Sequence, residues 1–354
     1  MMMKIRDHFM RNSFSVILLV VLTVANVGHA GDWPTWRHDS SRSASTPDGI
    51  GHDLQLIWSR QFSPLVPAWK EDPRLHYDAH YEPVVMGKTM YVASSADDSL
   101  TAIDVDTGRN RWKFFADGPI RFAPVAWKDR LFFGSDDGNC YCLDAATGSV
   151  IWRFNGAPSG RLVIGNERLI SVWPARTGPV LANGQLHFTV GVWPFEGTML
   201  YGLDPMTGKQ LHVSDLRDQA PQGYLVAANG NLYIPCGRSN AYAIRLDSHK
   251  RVSVKYNPRA TSDYHITSSG KYLFHGDKIV DVGGSGELPL SAHRPVSSGG
   301  KVYFVDKGKI RAYDLDKRIK VEKKDRRGET ILVSVPKPLW TLDKISASTV
   351  HLRA

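Results

Sequence analysis

The chain has 354 residues, 42% of them hydrophobic and 22% charged, too apolar for a disordered polypeptide and long enough to bury a substantial core. Ten Trp, 31 Gly and 20 Pro are spread along its length, which suits many turns between aromatic-rich strands and excludes a helical bundle. The formal charge of +9 falls to +7 without the first thirty residues, where Lys4, Arg6 and Arg11 stand against Asp7, and so modest an excess does not favour nucleic acid as a partner.

Residues 1–30 read as a secretory signal: a basic start, an apolar stretch from Phe14 to about Val27, then Gly28-His29-Ala30 ahead of the cleavage point. The apolar stretch is short for a membrane span and no second one follows. A mature domain over residues 31–354, periplasmic or secreted and without a transmembrane span, is therefore expected. No Cys adjoins the cleavage point, so lipid attachment there is not expected. Cys140 and Cys142 lie two apart on one predicted strand and point to one face, while Cys236 is distant. These three are expected to be buried thiols instead of a disulfide. No CxxCH motif for covalent haem is present.

The chain repeats itself. Ala102 to Trp112 reads AIDVDTGRNRW, Cys142 to Trp152 reads CLDAATGSVIW, and Gly202 to His212 reads GLDPMTGKQLH. Their shared core is a small residue followed by Asp104, Thr107 and Gly108, by Asp144, Thr147 and Gly148, and by Asp204, Thr207 and Gly208, with Trp112 and Trp152 ending the first two. A matched strand pair lies upstream of each, opening on Pro-Val at Pro83, Pro124 and Pro179. The Asp carboxylate can cap backbone amides and the Gly supplies a positive φ, so each element predicts a tight turn between strands three and four of one unit. A four-stranded unit of about 40 residues cannot bury both faces alone. Copies stacked about an axis give an all-β fold, a β-propeller of four-stranded antiparallel blades.

Weaker copies follow over Tyr224 to Arg251, Ser268 to Gly284 and Arg294 to Arg318, making six recognisable blades, or seven or eight if partial ones are counted. Leu54 to Phe62 (LQLIWSRQF) resembles a fourth strand that lacks its own first three. Fourteen residues follow Trp340, too few to supply them; the ring is then open, or one blade is partial, or the chain is shorter than its relatives. Two insertions break the period, Asn155 to Thr177 and Lys317 to Pro338. The second carries Lys317 to Arg327, with seven basic and two acidic residues, and predicts a solvated, extended hairpin loop.

The element Ala102-x-Asp104-x-x-Thr107-Gly108-x-x-x-Trp112 resembles the repeat of the pyrroloquinoline-quinone (PQQ) propeller family, which includes quinoprotein dehydrogenases and BamB-type outer-membrane assembly factors. The resemblance covers roughly Trp33 to Trp340 and implies that each Trp docks on the neighbouring blade. The family's dehydrogenases carry adjacent cysteines over the quinone and a calcium site of Glu, Asn and Asp residues. This chain has no adjacent cysteines, and its repeat Asp residues belong to turns. The expectation is a non-enzymatic scaffold that binds a protein, peptide or envelope component through its loops, with no catalytic residue, no metal ligand and no cofactor assigned. The alternative is a PQQ- and calcium-dependent dehydrogenase, or a degenerate relative of one. The sequence leaves the oligomeric state unassigned.

In a propeller, the links into the inner strands ring one opening. Three residues before the opening Pro stand His80, Arg121 and Arg176; His293 and Arg294 precede Pro295, and His265 lies in the fifth link. These six form a candidate belt for an anion or for acidic groups of a partner. His76, Asp78, His80 and Glu82, spaced by two, are the densest polar group, and in an extended segment they share one face.

Overall fold

The computed structural model describes residues 31–49, 53–72, 75, 77–165, 168–236, 241–254, 264–284, 286–306, 308–324 and 327–343; the leader expected over residues 1–30 lies outside them. Six four-stranded antiparallel sheets follow one another as blades of a propeller. Blade 1 is Val84–Met86, Thr89–Ser94, Ser99–Asp104 and Asn110–Phe115. Blade 2 runs from Val125–Trp127 to Val150–Asn155, blade 3 from Val180–Ala182 to Gln210–Asp215, and blade 4 from Val226–Ala228 to Arg251–Val252. Blade 5 runs from Ile266–Ser269 to Gly286–Ser291, and blade 6 from Val296–Ser298 to Thr330–Leu342. Within each, strand order in space is strand order in sequence, the meander that short turns enforce.

The repeat element has a packing reason that register makes plain. Ala102 pairs with Tyr91 on one side and Trp112 on the other. Cys142 sits likewise between Phe132 and Trp152, Gly202 between His187 and His212, and Ala312 between Tyr303 and Trp340. A small residue is required because two large rings flank it on one face. The Asp of each turn accepts from the Thr amide and hydroxyl three residues on, at 2.8 Å for both in Asp104–Thr107 and Asp144–Thr147.

The Gly of each turn serves the neighbouring blade. Gly148 has φ 74°, and a Cβ there would lie 2.7 Å from the indole of Trp112; that indole donates to the Ala145 carbonyl at 3.1 Å. Trp152 meets Gly208 and the Pro205 carbonyl in the same way. Blades 1 and 2 thus insert their last-strand Trp over the next blade's turn, which joins neighbouring blades through a packed side chain.

Trp58 completes the series at the front. It covers Gly108 and donates to the Val105 carbonyl at 2.7 Å, as a last-strand Trp does. The strand expected over Leu54 to Phe62 does not form, because it has no third strand beside it to pair with.

The centre of the ring is filled by the chain's own beginning. Trp33 bridges Val85 of blade 1, and the carbonyls of Pro34, Ser40, Ser41 and Ser43 accept from Ala126, Ala227, Ser268 and Ser297. Residues 33–43 therefore run round the inner strands of blades 1, 2, 4, 5 and 6 in turn. Arg42 is fully buried and donates to the carbonyls of Leu225, Pro179 and Trp36, tying in blades 3 and 4. Trp36 stacks on Tyr224 with centroids 4.1 Å apart. Arg37, His38, Arg42 and Ala44 all have positive φ, a winding that costs of order 1 kcal/mol per residue and persists because the inner strands hold it.

Of the two insertions, the first builds a separate hairpin, Leu162–Gly165 with Arg168–Ser171. The second prolongs the last two strands of blade 6, Lys309–Lys324 and Thr330–Leu342, into a projecting ribbon. Cys140, Cys142 and Cys236 are buried, and burial pushes Cys142 up to about 11.

Candidate functional site

The links into blades 1 to 4 converge on one mouth of the ring, where a strap that includes residues 64–72 and 77–80 crosses it. Arg121 donates from Nε to Asp136 at 2.7 Å, and from Nη1 to Asp78 at 2.7 Å and the Val66 carbonyl at 2.9 Å. Arg176 donates to both oxygens of Asp136, at 2.9 and 3.0 Å. Asp136 lies in the turn between the second and third strands of blade 2, which opens on the same mouth as the links. Asp78 also accepts from the Ala68 amide at 2.9 Å, so the strap is fastened to the arginines through its own carboxylate.

Both arginines, Asp78 and Asp136 are buried. Burial alone would raise Asp136, but Arg121 and Arg176 together hold it below the ordinary carboxylate range. For Arg121 burial opposes the charge, and Asp136 and Asp78 more than offset it. Two cations against two anions make the cluster neutral. At Arg121 and Arg176, two of the six belt positions, the donors meet Asp136 and Asp78.

The other belt residues are placed differently. His265 is buried beside Trp36 and accepts from Arg294 at 2.8 Å. His80 and His293 are exposed. His76 lies outside the described residues. Asp78 is buried while His80, two residues on, is exposed, so the spacing of two does not put this group on a single face.

Gln222 was not singled out in the sequence, yet it is the anchor of the strap. It stands three residues before Leu225, the blade-4 counterpart of the opening Pro, and its Oε1 accepts from the indole of Trp69 at 2.8 Å and from the Tyr77 hydroxyl. The register that singles out His80, Arg121 and Arg176 would have found it had the Pro been retained. Asp136 carried no such signal, because its partners come from two links 40 and 15 residues away.

These contacts decide how a planar quinone with its metal ion would fit. The axis is held by Arg42, Trp36 and Tyr224, and the mouth by Trp69, Tyr77 and Gln222. Of the two buried carboxylates there, Asp136 accepts from Arg121 and Arg176 with both oxygens, while Asp78 accepts through Oδ2 and its Oδ1 has no hydrogen-bond partner among the described residues.

A second concave surface lies on the outside. A groove of about 480 Å³ separates blade 2 from the hairpin of residues 162–171, lined by Asp117, Asp137, Arg153, Leu162 and Leu169 among others. Burial pushes the Asp137 carboxyl up. Leu162, Ile164 and Leu169 are 56%, 77% and 63% exposed; all three lie on one face of the hairpin, since Ile164 pairs with Leu169 and Leu162 is two residues from Ile164. No helix among the described residues is long and apolar enough to cross a membrane.

Comparison with known proteins gives two kinds of relative. The family model of the outer membrane protein assembly factor BamB matches residues 35–288. The dehydrogenase subunit of a quinone alcohol dehydrogenase of Gluconobacter oxydans is 26% identical over 172 residues, 46% of this chain and 21% of that protein. A polyvinylalcohol dehydrogenase of a Pseudomonas species is 30% identical over 144 residues, 40% of this chain and 21% of that protein. The chain thus spans about a fifth of these relatives' lengths. Among solved structures, a europium-containing methanol dehydrogenase superposes with a TM-score of 0.55 at 12% identity, covering 88% of this chain and 78% of that one. The quinohemoprotein alcohol dehydrogenase of Comamonas testosteroni gives 0.50 at 17% identity, covering 87% and 53%. At such identities the likeness is one of fold.

Proposed function

Starting from a chain that belongs to the PQQ-repeat propeller family of the assembly factor BamB, we propose that it is an exported, non-enzymatic scaffold that holds a protein, peptide or envelope polymer through its loops. The observation that carries this reading is the filled ring. Arg42 with its carbonyl acceptors occupies the axis, and both oxygens of Asp136 under the strap are taken by Arg121 and Arg176, which leaves little of the ring open to a quinone. What remains exposed and concave is peripheral: the groove under the hairpin of residues 162–171, and the ribbon of blade 6. Surfaces of that kind suit recognition of a macromolecule, since apolar side chains rimmed by charge bury well only against a large partner.

The leader-like residues 1–30 and the BamB likeness support a periplasmic or secreted location. The alternative reading, a PQQ-dependent dehydrogenase or its degenerate relative, rests on the names of the quinone-dependent relatives. Calorimetric titration of the mature protein with pyrroloquinoline quinone, with and without calcium, separates the two. The scaffold reading expects no saturable heat from a folded protein; calcium-dependent, stoichiometric binding would overturn it.

A further inference from the structure

The charge of the chain is not spread evenly. Residues 317–337 hold eight basic and three acidic residues, a net of +5 out of the +7 that remains without residues 1–30. Their described residues form the outer part of the blade-6 ribbon, whose rungs run from Arg318 opposite Pro336 to Lys324 opposite Thr330. These rungs make about 20 Å of two-stranded sheet, since the next strand of the blade pairs only with Lys309 to Tyr313. From Asp316 to Lys324 and from Thr330 to Val335 no side chain is buried.

The register gives the ribbon two unlike faces. One carries Ile319 opposite Val335, Val321 opposite Val333, and Lys323 opposite Ile331. The other carries Arg318, Lys320, Glu322 and Lys324 opposite Pro336, Ser334, Leu332 and Thr330. Five β-branched aliphatics thus form one row, backed by a basic face. Ile319 and Ile331 are 40% and 43% exposed. At the base of the ribbon Lys317 pairs with Asp314 at 3.5 Å and Arg318 donates to the Leu315 carbonyl at 3.2 Å; Lys320, Lys323 and Lys324 lie beyond these and are exposed.

Shape selects among the partners that such charge could meet. The ribbon stands out from its blade and holds no aromatic residue between Asp314 and Leu339, so it offers neither the pocket nor the large anchor that dominates protein interfaces. A soluble polyanion would engage the lysines and leave the aliphatic row in water. A lipid surface uses both: it moulds to a convex shape, takes the row at the acyl boundary, and presents phosphates to lysines whose long stems turn back towards it.

We propose that the blade-6 ribbon is a peripheral docking surface for an anionic lipid membrane, with the aliphatic row seated at the acyl boundary and Lys320, Lys323 and Lys324 on the lipid phosphates. This goes beyond the scaffold reading and fails separately from it: quinone binding in the ring would refute that reading and leave the faces of the ribbon as they are.

The test is co-sedimentation of the mature protein, residues 31–354, which holds every described element, with vesicles. One set is phosphatidylcholine mixed with phosphatidylglycerol, the other phosphatidylcholine alone. Partitioning onto the anionic set is expected to be about a hundredfold stronger and to fall steeply with added salt. Combining Lys320→Gln, Lys323→Gln and Lys324→Gln, all at exposed positions, should remove most of that difference. Ile319→Ser with Ile331→Ser should weaken binding about tenfold at unchanged charge. An environment-sensitive dye on Ile331→Cys, selective because the native thiols are buried, should shift its emission to the blue on anionic vesicles, which reads insertion independently of the serine pair. No binding to anionic vesicles, or binding indifferent to the lysine substitutions, overturns the proposal. Dependence on the lysines with no blue shift and no effect of the serines would assign the ribbon to a soluble polyanion or an acidic protein, and overturns it as well.

Discussion

The imidazole of His212 lies flat on that of His249, with ring centroids 3.5 Å apart and 13° between the planes. His212 occupies the docking-Trp position of blade 3, opposite Gly202. His249 occupies the turn-Gly position of blade 4: its φ is 55° and its amide donates to the carbonyl four residues back, as those of Gly108, Gly148 and Gly208 do. The indole-on-glycine contact has been exchanged for a ring-on-ring contact, with both partners changed together. His212→Trp alone must collide with the His249 side chain, and His249→Gly alone leaves a gap, so each should cost about 1–2 kcal/mol. The double substitution should recover most of that. Chemical denaturation of the four proteins gives the coupling energy; strictly additive effects would show that the two rings do not share one slot.

His187 belongs to the same row, opposite Gly202 where other blades place Tyr91 or Phe132. Burial, aided by His249 and His212, pulls its pKa down to about 4. The unfolded chain titrates near 6.5 and so binds more protons between these values. Stability is therefore full above about pH 6.5 and falls as the pH drops towards 4, by on the order of 3 kcal/mol at most. His187→Phe, which restores the aromatic of blade 2, should flatten that slope. Thermal melts of both proteins across this window test it, and identical slopes would remove His187 as the cause.

Trp58 covers the turn of blade 1 while Trp340, at the end of blade 6, is half exposed. Trp58→Ala removes a docked indole and its hydrogen bond, and should cost about 3 kcal/mol. Trp340→Ala in the isolated protein should cost less than about 1 kcal/mol, because a half-exposed ring has little burial to lose. Urea midpoints distinguish them directly.

Removing one member of the Arg121–Asp136–Arg176 cluster leaves a buried charge without its counter-ion. Arg121→Met or Asp136→Asn should destabilise by about 3–5 kcal/mol. Asp136 is held below the usual carboxylate range, so its contribution is present above about pH 4 and is lost as the pH falls through its folded value. Acid titration followed by tryptophan emission, reporting Trp69 in the strap, should show this step, and Asp136→Asn should abolish it.

The six blades were legible because their evidence is local. Asp104, Thr107 and Gly108 make their turn with each other, and Ala102 is small because the rings of its own sheet flank it; such constraints repeat at a fixed spacing and survive in the letters. The docking of Trp112 was legible as an end-of-strand signal, although its acceptor, Gly148, becomes visible as such only when two blades are set side by side. Spacing placed Arg121 and Arg176 at one mouth, but their counter-ion Asp136 sits in a different turn, and Gln222 lacked the Pro that marked the others.

The chain's own sequence determined the period, the strand order and the turn chemistry, since each depends on residues within a few positions of one another. Only the tertiary structure decided that residues 33–43 fill the ring, that Arg121 and Arg176 meet on Asp136, and that Trp58 docks while Trp340 is half exposed. Those outcomes depend on which distant groups meet once the blades are set round an axis, and burial turns each meeting into a large energy that no single segment specifies.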